Sequence, residues 1–174
     1  MDLLEHSYNA YLRELVRRDE LRRGIALPIG LSGALAGAWY SLARRFDWIG
    51  STESFVVAFL MVLGLLTLIS GAFFLVRSHV GYVYVYVPTA KEILAYSAEL
   101  ASYHGELSRT SSAVQNDTDE FLEREFANNA HENALNNNTK SKHLHNASVR
   151  LVASLGFLVA AGVIDLLVRM GVNI

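Results

Sequence analysis

FVVAFLMVLGLLTLISGAFFLV, residues 55–76, runs for 22 residues without a charged side chain. At ~1.5 Å per helical residue, ~20 apolar residues cross the hydrocarbon core of a bilayer. The stretch therefore reads as a membrane-spanning helix, and two similar runs flank it. Upstream, Gly24–Ala43 (GIALPIGLSGALAGAWYSLA) is uncharged over 20 residues; downstream, Leu151–Val168 is broken by a single acid, Asp165. The chain is 52% hydrophobic yet 18% charged, with nearly all the charge in 1–23 and 77–150. A soluble domain would interleave the two classes to build amphipathic elements. The expected fold is all-α: an integral membrane protein with three transmembrane helices and a cytoplasmic helical hairpin, or crown, between spans two and three.

Charge asymmetry orients these spans. Arg13, Arg17, Arg18, Arg22 and Arg23 precede the first span, while the first loop carries only Arg44 and Arg45, with Trp48 as an interfacial anchor. Basic residues return after the second span, at Arg77, Lys91, Arg109, Arg124, Lys140, Lys142 and Arg150. Cytoplasmic flanks are the basic ones. The expected order is a cytoplasmic amphipathic helix (1–23), a first span (24–43), a periplasmic loop (44–54) and a second span (55–79). The crown (80–147), a third span (148–170) and a periplasmic tail (171–174) follow, in a bacterial inner membrane with the N-terminus inside. Met1–Arg23 has neither an apolar core nor a small-residue cleavage site, so it is not read as a signal peptide. Absence of cysteine excludes disulfides and thiolate chemistry.

Within the crown, Val80–Val87 (VGYVYVYV) alternates like a strand but has no visible partner, so the second span's helix is expected to continue to Pro88. Thr89 and Glu92 form a capping box that opens a new helix. Residues 108–118 read as the hairpin loop, and a second box at Asp117 and Glu120 opens a helix that continues into the third span.

Four features are candidates for function. Small residues (Gly33 and Gly37, with Gly30) give the first span a face on which helices approach closely, within or between subunits. Asp165, one turn before Arg169, is either an ion pair at the outer interface or a carboxylate at a pore mouth. The tract FANNAHENALNNNTKSKHLHNAS (126–148) crowds asparagine, a poor helix former. A polar seam that sets register, a ligand pocket and a solvated face all remain open for it. An anionic ligand would be met by Arg109, Lys140, Lys142 and His143, with Tyr96, Tyr103, Asn133 and Asn137 reading bases. No catalytic constellation is visible, and no metal or cofactor is expected.

The segments RRDELRRGIALPIG, HVGYVYVYVPTAKEIL and NNNTKSKHLHNASVRL, set in this three-span plan, resemble the small membrane effectors of bacterial anti-phage defence, most closely those of Hailong systems. That resemblance implies a channel whose cytoplasmic crown binds a single-stranded DNA oligomer (oligo-deoxyadenylate) made by a partner nucleotidyltransferase, the ligand holding the channel closed. The implied partners are membrane lipids, further copies of the chain in a homo-oligomer (a tetramer is compatible) and that nucleotide or oligonucleotide signal. The competing expectation is a non-conducting scaffold that anchors a cytoplasmic enzyme.

Overall fold

The computed structural model describes residues 3–46, 52–106 and 111–171. Five helices follow in order: α1 (Leu3–Gly24), α2 (Ala26–Arg45), α3 (Thr52–His79), α4 (Ala90–Glu106) and α5 (Ser111–Arg169). There is no strand among the described residues. Three stretches are long and apolar enough to cross a membrane: Leu3–Arg45, Thr52–His79 and Ser111–Arg169. Their outward faces carry Leu27, Phe59, Val62, Val152 and Val159 in the open. Helices in lipid turn apolar side chains outward and satisfy backbone groups internally, as these do. The chain is all-helical, with the helices of a multi-pass membrane protein.

The only break between α1 and α2 is at Ile25, which keeps helical dihedrals (φ −74°, ψ −26°). Pro28 supplies the reason: it has no N–H to donate to the carbonyl of Gly24. The helix resumes at once, with Ile29 N–H donating to Ile25 O at 3.1 Å.

Two expectations for the 80–118 region are corrected. Helix α3 stops at His79, and residues 82–89 form neither helix nor strand instead of continuing the helix to Pro88. Gly81 turns the chain with a positive φ of 94°, a conformation that disfavours L side chains. At the other end, α5 already begins at Ser111, so residues 111–118 are helix and Asp117 is not its cap. The Asp117 carboxylate is held by buried His104 Nε2 at 2.8 Å. Thr89 does cap α4. Its N–H and hydroxyl donate to Glu92 Oε2 at 2.7 and 2.8 Å, and its Oγ1 accepts from Glu92 N–H at 3.4 Å. These bonds favour the charged carboxylate, led by the backbone one, and hold Glu92 below the usual carboxylate range. Trp48 lies outside the described residues.

Contacts divide the chain into two compact units. One comprises 1–20 with 82–138, the polar unit; the other comprises 21–81 with 139–174, the apolar unit. In the apolar unit Leu35, Trp39, Leu68 and Leu151 form a core, and Ile25, Leu75 and Ala147 a second cluster. One hydrogen-bond chain ties its three helices. Trp39 Nε1–H donates to Ser154 Oγ at 3.0 Å, and the Ser154 hydroxyl donates to Gly64 O at 2.9 Å. The Trp39 ring fills the space a side chain at Gly64 would need. Gly64→Val should therefore lower the thermal midpoint in detergent, with about 1–3 kcal/mol lost to overpacking. At Gly156 an added Cβ meets nothing within 4 Å, and Gly156→Val should leave the midpoint unchanged. Equal melting of the two variants would contradict this packing.

Candidate functional site

One stripe organises α5. Phe126, Ala130, Asn133, Asn137, Lys140, Leu144, Ala147, Leu151, Ser154, Leu158, Ala161 and Asp165 alternate at spacings of four and three, and all are buried or half-buried. This is the 3.5-residue period of a coiled-coil seam. Its first half is polar and its second half largely apolar.

The polar half solves a backbone problem. Residues 82–89 are neither helix nor strand, so their peptide groups lack the partners of a regular element. Asn133, fully buried, supplies them at Val85: its Oδ1 accepts from Val85 N–H at 3.0 Å, and its Nδ2 donates to Val85 O at 2.9 Å. Those are the two bonds a neighbouring strand residue would exchange with Val85. Asn136 Nδ2 donates to Val83 O at 2.6 Å. Asn137, also fully buried, accepts from the Tyr84 hydroxyl at 2.8 Å. Its Nδ2 donates to the backbone carbonyl and the carboxylate of Glu14 in α1, at 2.8 and 2.9 Å. Burial pushes the Tyr84 phenol up and the Arg18 guanidinium opposes it, so Tyr84 is the hydroxyl donor this bond needs.

Arginines of α1 complete the arrangement. Arg17 donates to Asn138 Oδ1 at 2.8 Å, and Arg18 to the Tyr86 hydroxyl at 2.6 Å. The Arg18 guanidinium also lies over the Tyr84 ring, 5.4 Å from its centroid. Tyr8 and Tyr11 of α1 meet Phe126 at 5.2 and 5.7 Å between ring centres. Two of the arginines that orient the chain are thus also structural. Asn129 is buried nearby in sequence, with its Nδ2 unpaired.

The other residues singled out from sequence fall as follows. Tyr96 stacks on Phe121 at 4.4 Å, and Tyr103 is exposed beside His104. Lys140 is buried in the α5 seam, whereas Lys142 is exposed. The His143 ring packs on Phe74 at 5.8 Å. Arg109 lies outside the described residues. Contacts put Tyr96, Tyr103, Asn133 and Asn137 in the polar unit, and Lys140, Lys142 and His143 in the apolar unit. Asp165 is paired with Arg169 at 2.9 Å, and Arg169 also donates to the Arg45 carbonyl. Asp165 and Arg169 line a small cleft with Phe46, Glu53 and Ser54. At Gly33 and Gly37 the first span's small face is open.

Sequence reasoning did not single out Glu14 or Ser154, and it found no partner for Tyr84 or Asn136. For Asn136 the signal was the strand-like alternation of residues 82–87 beside an asparagine-rich helix, whereas nothing local marks the roles of Glu14, Tyr84 or Ser154. Comparison with known proteins finds no matching family model, no similar curated protein and no matching solved structure.

Asn133→Ala should remove both side-chain hydrogen bonds of the Val85 peptide and cost about 1–3 kcal/mol, at about 0.5–1.5 kcal/mol for each bond. Limited proteolysis checks it: cleavage should appear within 80–89 under conditions that leave the parent chain intact. Unchanged resistance would contradict the role given to this amide.

Proposed function

We propose that the chain is one subunit of a homo-oligomeric pore in a bacterial inner membrane, acting as an effector of anti-phage defence. In this reading a nucleotide or single-stranded oligonucleotide signal, made by a partner nucleotidyltransferase, binds the polar unit on the cytoplasmic side and governs opening. The unbroken α5 seam carries the proposal. The helix whose asparagines hold residues 83–85 in one unit is the same helix whose leucines and Ser154 pack the spans in the other. A ligand that competes for the asparagine-held segment would act on a helix that is itself a span, and a two-state element of that kind is what gating requires.

Two further observations support it. The open Gly33 and Gly37 face offers close approach to a neighbouring helix. In the polar unit the exposed ring of Tyr103 offers a platform for a base. Asp165 is neutralised by Arg169 within its own chain, so it contributes less to selectivity than an unpaired carboxylate would.

Purified full-length protein in planar bilayers tests the reading. The expected result is an oligomer by native mass spectrometry, discrete conductance steps, and a change in open probability on adding oligo-deoxyadenylate. Monomers alone, with no steps at any voltage, would overturn it in favour of a scaffold.

A further inference from the structure

Charge in the apolar unit is sharply sorted. Its acids are Asp47, Glu53 and Asp165. Glu53 and Asp165 share the cleft where α2 ends, α3 begins and α5 approaches its end. Arg44, Arg45 and Arg169 belong to the same end, so there the signs are mixed. At the opposite end, where Ile25, Leu75 and Ala147 cluster, stand Arg22, Arg23, Arg77, Lys142 and Arg150. Among the described residues none of these five has a carboxylate within ion-pair distance.

Arg150 is the most constrained of them. Its guanidinium is half-buried, donates to Ser70 Oγ at 2.8 Å and lies 4.7 Å from the centre of the Phe74 ring. A serine hydroxyl and a ring face leave most of its five N–H donors without an acceptor and its charge unneutralised. The same ring carries His143, whose Nδ1 is buried with no hydrogen-bond partner. Next along α3, Arg77 sits 5.6 Å from the Phe73 ring centre.

The flanks of Arg150 decide what kind of anion fits. Val149 and Val152 on α5, and Ile69, Phe73 and Val76 on α3, are exposed apolar side chains. A free phosphate or a nucleotide would leave these uncovered. A ligand with an anionic phosphodiester head and apolar tails satisfies the guanidinium and covers the walls together.

We propose that Arg150, braced by Ser70 and Phe74 and assisted by Arg77, is a binding site for the phosphodiester headgroup of an anionic phospholipid. The lipid belongs to the leaflet facing the basic end of the apolar unit. The proposal rests only on the membrane-spanning character of these helices, so loss of the pore reading would leave it standing.

Native mass spectrometry of the full chain, released from micelles doped with phosphatidylglycerol or phosphatidylcholine, tests it. The parent chain should retain phosphatidylglycerol in preference. Arg150→Gln should reduce that retention about fivefold or more, the worth of one interfacial cation, and Arg150→Lys should restore part of it. Arg169→Gln alters an arginine already paired with Asp165 at the other end, and retention should not change. Glycerophosphoglycerol, the same headgroup without chains, should not compete. Should Arg150→Gln fail to fold, Arg77→Gln at an exposed position should still lower retention about two- to threefold. Parent-like retention in whichever of the two variants folds, or full competition by the chain-free headgroup, would overturn the site.

Discussion

A backbone segment that is neither helix nor sheet must find hydrogen-bond partners elsewhere, and here the buried amide of Asn133 provides them. Its two bonds to Val85 stand where a neighbouring strand would stand. Around them the polar unit is assembled from the same kind of contact: Asn136 to Val83, Asn137 to Tyr84 and Glu14, and Arg17 to Asn138. Asparagine weakens a helix by its intrinsic preference. Its concentration in α5 is explained by an amide that can donate and accept at once, which a leucine seam could not do. Removing a partner of the Asn133 or Asn137 amide would leave a buried polar group unpaired, which is costlier than the bond itself is favourable.

The apolar half of the seam follows a parallel rule with different chemistry. In lipid there is little hydrophobic drive between helices, so packing and a few polar contacts hold them. Ser154 takes the place that asparagine has in the other unit, accepting from Trp39 and donating to the carbonyl of Gly64. Gly64 leaves room for the indole, and Gly71 lets Leu151 and Ala147 approach. Charge is confined to the ends, paired at Asp165 and Arg169 and unpaired around Arg150.

How much of this was legible from sequence depended on the range of the interaction. Uncharged runs, the Thr89–Glu92 cap and the helix through residues 126–168 are local or periodic, and they could be read directly. Val80–Val87 was misread because its strand-like alternation had no second strand to pair with, and the partner proved to be a row of side chains from a helix about 50 residues away. The start of α5 was misplaced because Asp117 resembles a cap in sequence, whereas a buried histidine from α4 holds its carboxylate. For the asparagine tract, a polar seam was one of the readings left open. What sequence lacked was the identity of each partner, since Glu14 and Tyr84 carry no mark of their roles.

The most direct test is amide hydrogen exchange in isotopically labelled protein, resolved at residues 82–87. Val85 N–H is bonded to Asn133, whereas the amides of Tyr84 and Tyr86 donate to no acceptor among the described residues. The Val85 amide should exchange at least about tenfold more slowly than its two neighbours, because an opening must precede exchange. Equal, rapid exchange at all three positions would contradict the central claim that α5 supplies this segment's missing strand.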